Sequence, residues 1–141
     1  MTASRRPAPP ALCETIPSCL GQAEILCRKI RGWMQGAGLG ESCFAVELLA
    51  RESLVNAVIH GNRCAADKSV RLSLRVGRKW IRLQVADEGE GFDWRKAGQK
   101  KPDATTSCGR GLQLYAMYAG RVRFNRKGNR IELWMAKARG R

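Results

Sequence analysis

The sequence predicts an α+β fold in two layers, a mostly antiparallel sheet covered on one face by helices. Three observations predict it. Glu41 to Gly61 has no proline and no internal glycine and is rich in Leu, Ala, Val and Glu, which is a helix composition. Residues 70–76 and 80–86, and later 121–126 and 129–136, alternate apolar with polar side chains around short glycine-containing turns, the pattern of two half-buried hairpins. The 141 residues suffice for one core and not for two.

Taken in order, residues 1–10 (MTASRRPAPP) are small, basic and proline-rich and are expected to be a disordered tail, with 11–138 as one domain. Ala11 to Ile16 reads as a short edge strand. Ser18 is the expected N-cap of a helix reaching about Met34, with Leu20, Ala23, Ile25, Leu26 and Ile30 inward. Gly36, Gly38 and Gly40 interrupt the chain before the central helix, which Gly61 closes. Glu52, Asn56 and His60 recur every four residues and so share a face with Ala45, Leu48, Leu49 and Ile59. A carboxylate and an amide set among apolar residues each cost free energy without a partner. The hairpins turn at Gly77-Arg78-Lys79 and at Lys127-Gly128. Between them lie a loop, Asp87 to Cys108, and a helix expected over Gly111 to Ala119. Arginines alternating along the strands are expected on the sheet face away from the helices.

Composition narrows the class. No apolar run is long enough to span a membrane, and no apolar stretch follows Arg5 and Arg6 as in a signal peptide, so a cytoplasmic protein is expected. Six cysteines (Cys13, Cys19, Cys27, Cys43, Cys64, Cys108) form no C-x-x-C pair, and several fall on apolar helix faces, which reads as structural thiols. The net charge of +14 suits nucleic acid, an acidic protein or a bound polyphosphate. The basic residues are scattered from Arg5 to Arg141 without a nucleic-acid-binding motif, so direct nucleic-acid binding is not expected.

Two glycine-containing motifs carry chemistry. Asp87-Glu88-Gly89-Glu90-Gly91-Phe92 follows a strand, placing a carboxylate beside a backbone that can turn sharply and admit a flat ligand. Ser107-Cys108-Gly109-Arg110-Gly111-Leu112 leads into a helix, where exposed N–H groups and the helix dipole suit phosphate. The cationic stretch between them, Trp94 to Ser107, holds few apolar residues and is expected to be poorly ordered without ligand. The spacing is neither a Walker loop nor a dinucleotide fingerprint.

In this order, E-x-x-x-N on a helix, D-x-G-x-G after a strand and G-x-G-L opening a helix resemble the ATP-binding domain shared by gyrase, heat-shock chaperone, histidine kinase and mismatch-repair ATPases. E-S-L-V-N-A-V-I-H-G-N, D-E-G-E-G-F-D and S-C-G-R-G-L resemble the bacterial anti-sigma-factor serine/threonine kinases, over about Pro17 to Ala136. The resemblance implies ATP and Mg2+ as cofactors. Asn56 would hold the magnesium ion, an amide oxygen being a hard ligand. Glu52 would be the catalytic base for a partner's serine or threonine hydroxyl. Asp87 would bind the adenine amine, Gly89 and Gly91 would floor the pocket, and Gly109, Arg110, Gly111 and Leu112 would hold the phosphates. Phe92 to Ser107 would form the lid. Asn129 and Arg130 stand where that family carries a threonine, and asparagine can serve as the hydrogen-bonder.

The function so implied is transfer of phosphate from ATP to an anti-anti-sigma partner, with sequestration of a sigma factor and homodimerisation through the sheet and first helices. A second reading is a nucleotide-gated protein-binding module that transfers nothing. Glu52 separates the two.

Overall fold

The computed structural model describes residues 10–91 and 107–139, with the side chains of 107–112 excepted. The proposed tail (apart from Pro10), Phe92 and the proposed lid up to residue 106 lie outside the described residues. Five strands form one antiparallel sheet in the order β1-β2-β3-β5-β4. They are β1 (Ala11–Pro17), β2 (Ser69–Val76), β3 (Trp80–Asp87), β4 (Arg121–Phe124) and β5 (Arg130–Ala136). Helices α1 (Leu20–Gly36), α2 (Cys43–Asn56) and α3 (Ser107–Tyr118) complete the chain. The two-layer architecture and the edge position of β1 agree with the sequence reading.

Alternation decides which residues enter the core. Val70, Leu72, Leu74, Ile81, Leu83 and Leu133 are fully buried. They meet Ile30 and Met34 of α1 and Val46, Leu49, Ala50 and Leu54 of α2 in one apolar cluster. At roughly 1.5–3 kcal/mol per buried aliphatic side chain, this cluster is the main favourable term of the fold.

Several local expectations are corrected. Cys19, not Ser18, is the N-cap of α1, in extended backbone and without a side-chain cap bond. Ser18 is instead buried between β1 and α1, its N–H donating to the Lys68 carbonyl at 3.1 Å while its hydroxyl finds no partner among the described residues. Leu20 and Ile25 point to solvent, 46% and 53% exposed, because α1 packs through Ala23, Leu26, Cys27, Ile30 and Met34. Three of the described cysteines, Cys13, Cys19 and Cys64, are exposed. Only Cys27 and Cys43 act as core residues, and burial pushes the Cys27 thiol up to about 11. Backbone of α3 is already helical at Ser107, so Gly109 and Gly111 lie in its first turns and not ahead of it.

The central helix is rotated from the predicted face. Its buried side carries Val46, Leu49, Ala50, Ser53, Leu54, Ala57 and Val58. Glu52 and Asn56 lie at its margin, half-buried, and Ile59 and His60 are exposed. The apolar stripe and the polar residues are therefore neighbours rather than interleaved, which relieves the desolvation cost that an interleaved face would carry.

Candidate functional site

The helix does not simply stop at Gly61. Residues Ala57–Gly61 widen into a π-turn, closed by the Asn62 N–H on the Ala57 carbonyl at 2.8 Å. A single π-turn of this kind often marks a functional place in a helix. Here it brings Gly61 against the end of β3. A Cβ on Gly61 would stand 2.3 Å from the Asp87 carboxylate, so only glycine lets the helix end meet the acid. The same crowding fixes the motif glycines. A Cβ on Gly89 would be 2.0 Å from the Gly61 carbonyl oxygen, and one on Gly91 would be 1.8 Å from that of Lys127. Gly91 also takes a φ of +85°, a value strained for any other residue.

Around this junction is a cavity of about 110 Å³, reached by Asn56, Asp87, Gly91, Tyr115 and Asn129 and walled by apolar side chains including Val85 and Ile131. Burial pushes the Asp87 carboxyl above its ordinary value of 3.8, opposed by the Gly89 N–H and more weakly by Lys127 and Lys68. That N–H donates to Asp87 Oδ1 at 2.8 Å, the carboxylate's one hydrogen bond among the described residues. An acceptor at the base of a half-apolar slot suits a flat heterocycle carrying an exocyclic amine.

Asparagines hold the slot's edges, and sequence reasoning missed two of the three. Asn62 is 1% exposed. Its Nδ2 donates to the Ser69 carbonyl at 2.8 Å and its Oδ1 accepts from the Glu88 N–H at 2.8 Å, tying the helix end to β2 and to the Asp87 loop. Asn125 Oδ1 accepts from the N–H groups of Gly128, Asn129 and Arg130 at 2.8–3.1 Å, folding the β4–β5 turn. Its Nδ2 donates to Asn129 Oδ1 at 2.6 Å, and Asn129 Nδ2 donates to the Asp87 carbonyl at 3.0 Å. Asn129 is thus a hydrogen-bonder at the acid's own backbone. The signal for Asn62 and Asn125 was polar side chains beside glycine turns, too common to single out.

The predicted residues divide accordingly. Asn56, Asp87 and Gly91 reach one cavity, and Gly89 backs it. Asn56 Nδ2 donates to the Tyr115 hydroxyl of α3 at 3.1 Å, and Tyr115 is a buried residue that the sequence did not single out. Glu52 lies one turn before Asn56 and is not among the cavity's lining residues. Gly109, Arg110, Gly111 and Leu112 belong to the first turns of α3, and their side chains are outside the described ones. A cation would meet Asn56 through its amide oxygen, since the amide nitrogen is committed to Tyr115. The donor chemistry therefore fits magnesium.

Comparison with known proteins agrees with this fold. The sequence matches the histidine kinase-like ATPase domain over residues 16–137. Among solved structures, the chain is similar to the histidine kinase domain of the blue-light activated histidine kinase from Erythrobacter litoralis EL346. That similarity has a TM-score of 0.54 at 20% identity, and covers 86% of this chain and 62% of that one. At that identity it speaks for the fold. No curated protein matches the sequence. No helix among the described residues is long and apolar enough to cross a membrane. With the family match spanning nearly the whole sequence, the chain belongs to the histidine kinase-like ATPase domain family.

Proposed function

We propose that the protein is an ATP-dependent serine/threonine kinase of the anti-sigma-factor type, acting on an anti-anti-sigma protein and able to hold a sigma factor. The observation that carries the reading is the approach of Asn56 and Asp87 to one cavity, with Glu52 a single helical turn away on the same element. Asp87 would accept a hydrogen bond from the adenine amine. Gly89 and Gly91 keep the floor low enough for the ring, because any Cβ there strikes backbone. Asn56 would hold magnesium through its amide oxygen, and the metal's charge would offset that of the triphosphate. The first turn of α3, with Gly109 and Arg110, would receive the phosphates through its free backbone N–H groups, with Gly111 and Leu112 in the turn behind it.

In the transfer itself, the acceptor hydroxyl oxygen forms a bond to the γ-phosphorus as the bond to the ADP oxygen breaks. The hydroxyl proton passes to the Glu52 carboxylate. Glu52 is half-buried at the margin of α2, open enough to receive a side chain from a second protein. Magnesium and the acceptor's identity belong to this proposal, as does a cytoplasmic location.

One feature favours the nucleotide-gated module without transfer, namely that Glu52 lies off the cavity lining. Glu52→Gln decides between them. A positioned base is worth about 10²–10⁴ in rate, so single-turnover transfer to the acceptor should fall by that factor with ATP affinity unchanged. Transfer at the wild-type rate removes Glu52 as base. No transfer by the wild-type protein to any acceptor leaves the gated module.

A further inference from the structure

The charge that looked scattered in the sequence is gathered by the sheet. Residues directly opposite on paired strands share a face, so register alone places side chains. Arg75 of β2 faces Arg82 of β3, Arg82 faces Trp134 of β5, and Trp134 faces Arg121 of β4. These four form one transverse row on the face turned away from the helices, spanning three inter-strand spacings, or roughly 14 Å. Arg71 and Arg123 flank the row on the same face, through their pairing with Ala86 and Glu132. Glu132 is the only acid on the strands of that face, and its Oε1 accepts from the Trp134 indole N–H at 2.7 Å.

Like charges set directly across a ladder destabilise it. Among the described residues, no ion pair reaches any of these arginines, and the ion pairs formed there involve the helices. What the row does contain is aromatic. The Arg82 guanidinium sits 5.6 Å from the centre of the Trp134 ring. Beside it Trp80 is 44% exposed, with its indole laid against Gly120, where a Cβ would come within 3.0 Å of the ring. The β2–β3 turn adds Arg78 and Lys79, and together they border a groove of about 500 Å³ with Trp80, Trp134, Arg75 and Arg82.

We propose that this open sheet face binds single-stranded nucleic acid, with phosphates on the arginine row and bases stacked on Trp80 and Trp134. A second copy of the chain meeting this face with its own would set the two arginine rows against each other, which argues against using it for the sheet-mediated homodimer that the family resemblance implies. An acidic protein would use the guanidinium groups but gives the two indoles no stacking partner. An unpaired strand uses both, since every base offers a π-face and every nucleotide a phosphate. A duplex would leave the indoles idle, its bases being already stacked. The inference stands apart from the kinase reading and concerns the opposite face of the sheet from the helices.

The test is fluorescence anisotropy of a labelled oligo-dT with the full chain, alongside intrinsic tryptophan fluorescence. Saturating ATP and magnesium are present throughout, to keep the strand out of the nucleotide cavity. Binding should be salt-dependent and should quench tryptophan emission. Arg75→Glu with Arg82→Glu should weaken it more than tenfold and reduce the slope of log K on log salt by about 1.4, at about 0.7 per lost phosphate contact. Arg82→Gln should do the same to a smaller degree without reversing charge. Trp80→Ala should cost about tenfold, near the worth of one stacked base. The same charge change on α1, Arg28→Glu with Lys29→Glu, should leave affinity within about twofold, those side chains lying on the helix side of the sheet. The proposal is overturned by absence of wild-type binding, by equal losses from the α1 variant, or by retained affinity in Arg75→Glu/Arg82→Glu. It is also overturned if poly-glutamate displaces the strand charge for charge without restoring tryptophan emission, which makes the face a dock for acidic protein.

Discussion

Two places in this molecule take a carboxylate out of water, and they treat it in opposite ways. At the seam between α1 and α2, Glu47 is 8% exposed and meets two arginines. Arg31 donates to it through Nε at 2.9 Å and again through Nη2, and Arg51 reaches it from the next turn while also pairing with Glu24. The Arg31 guanidinium holds the Glu47 carboxyl below its ordinary 4.5 despite burial. At the end of β3, burial dominates and the Asp87 carboxyl rises. Its near neighbours are glycines and asparagines, with Lys127 and Lys68 acting only at a distance. A buried acid supplied with guanidinium partners serves architecture. A half-buried acid given one backbone N–H beside a cavity has the environment of a binding group.

Substitutions can break this contrast from either side. The largest effect is expected from Gly89→Ala, because the new methyl would lie 2.0 Å from the Gly61 carbonyl oxygen, a backbone atom that cannot swing aside. The Asp87 loop must move, and ATP binding measured by calorimetry should disappear while the α1–α2 seam stays folded by circular dichroism. Retained affinity would mean that the close approach of the two glycines is not what builds the site.

Glu47→Gln should act in the reverse sense. It removes the charge between Arg31 and Arg51 and should lower the melting temperature by about 3 °C, the scale of a stability loss of roughly 1 kcal/mol in a domain of this size. The loss is modest because Arg31 is half exposed and solvent screens the pair. ATP affinity should hold. A fall in affinity matching that of a cavity variant would show the two regions to be coupled.

Acid should separate the regions without mutation. Glu47 has a depressed folded pKa, so its stabilisation is present above 4.5 and is lost only as pH falls through that lower folded value. Asp87 has a raised folded pKa. Its burial cost is fully felt above that value and vanishes below 3.8, while its capacity to accept from an amine fades as pH falls through the raised value. ATP affinity should therefore begin to drop at a higher pH than the melting temperature does. Simultaneous decline of both would remove the distinction.

The sequence carried the layers well and the helix faces less well. Strict alternation in 70–76 and 80–86 left little freedom in register, and the paired strands follow it. The face of α2 was misjudged because its buried side holds Glu47 and Ser53, polar residues that mask the apolar period. Glu47 is balanced by arginines, and the Ser53 hydroxyl donates back to the Leu49 carbonyl at 2.7 Å. Both are satisfied through contacts invisible along the chain. Asp87 and its glycines were legible because a strand end followed by alternate glycines limits what the backbone can do. The contribution of Gly61 was not, since a glycine ending a helix ordinarily marks a cap. Its approach to Asp87 depends on a π-turn that no local pattern announces. The charge on the open sheet face illustrates the same limit, with arginines far apart in sequence becoming one row only through pairing.

The most direct measurement of the central claim is titration calorimetry of ATP and GTP, each with magnesium, into the wild-type protein and Asp87→Asn. On the proposed reading an ionised Asp87 would accept from the adenine amine, whereas guanine presents a carbonyl oxygen at the corresponding position and would be repelled. The wild type should bind ATP at least tenfold more tightly than GTP, the least expected from one charged hydrogen bond in a buried slot. Asp87→Asn should lose most ATP affinity and much of that preference, since an amide can donate to the guanine oxygen. Equal binding of ATP and GTP by the wild type, or undiminished ATP affinity in Asp87→Asn, would contradict the assignment of Asp87 as the residue that reads the base.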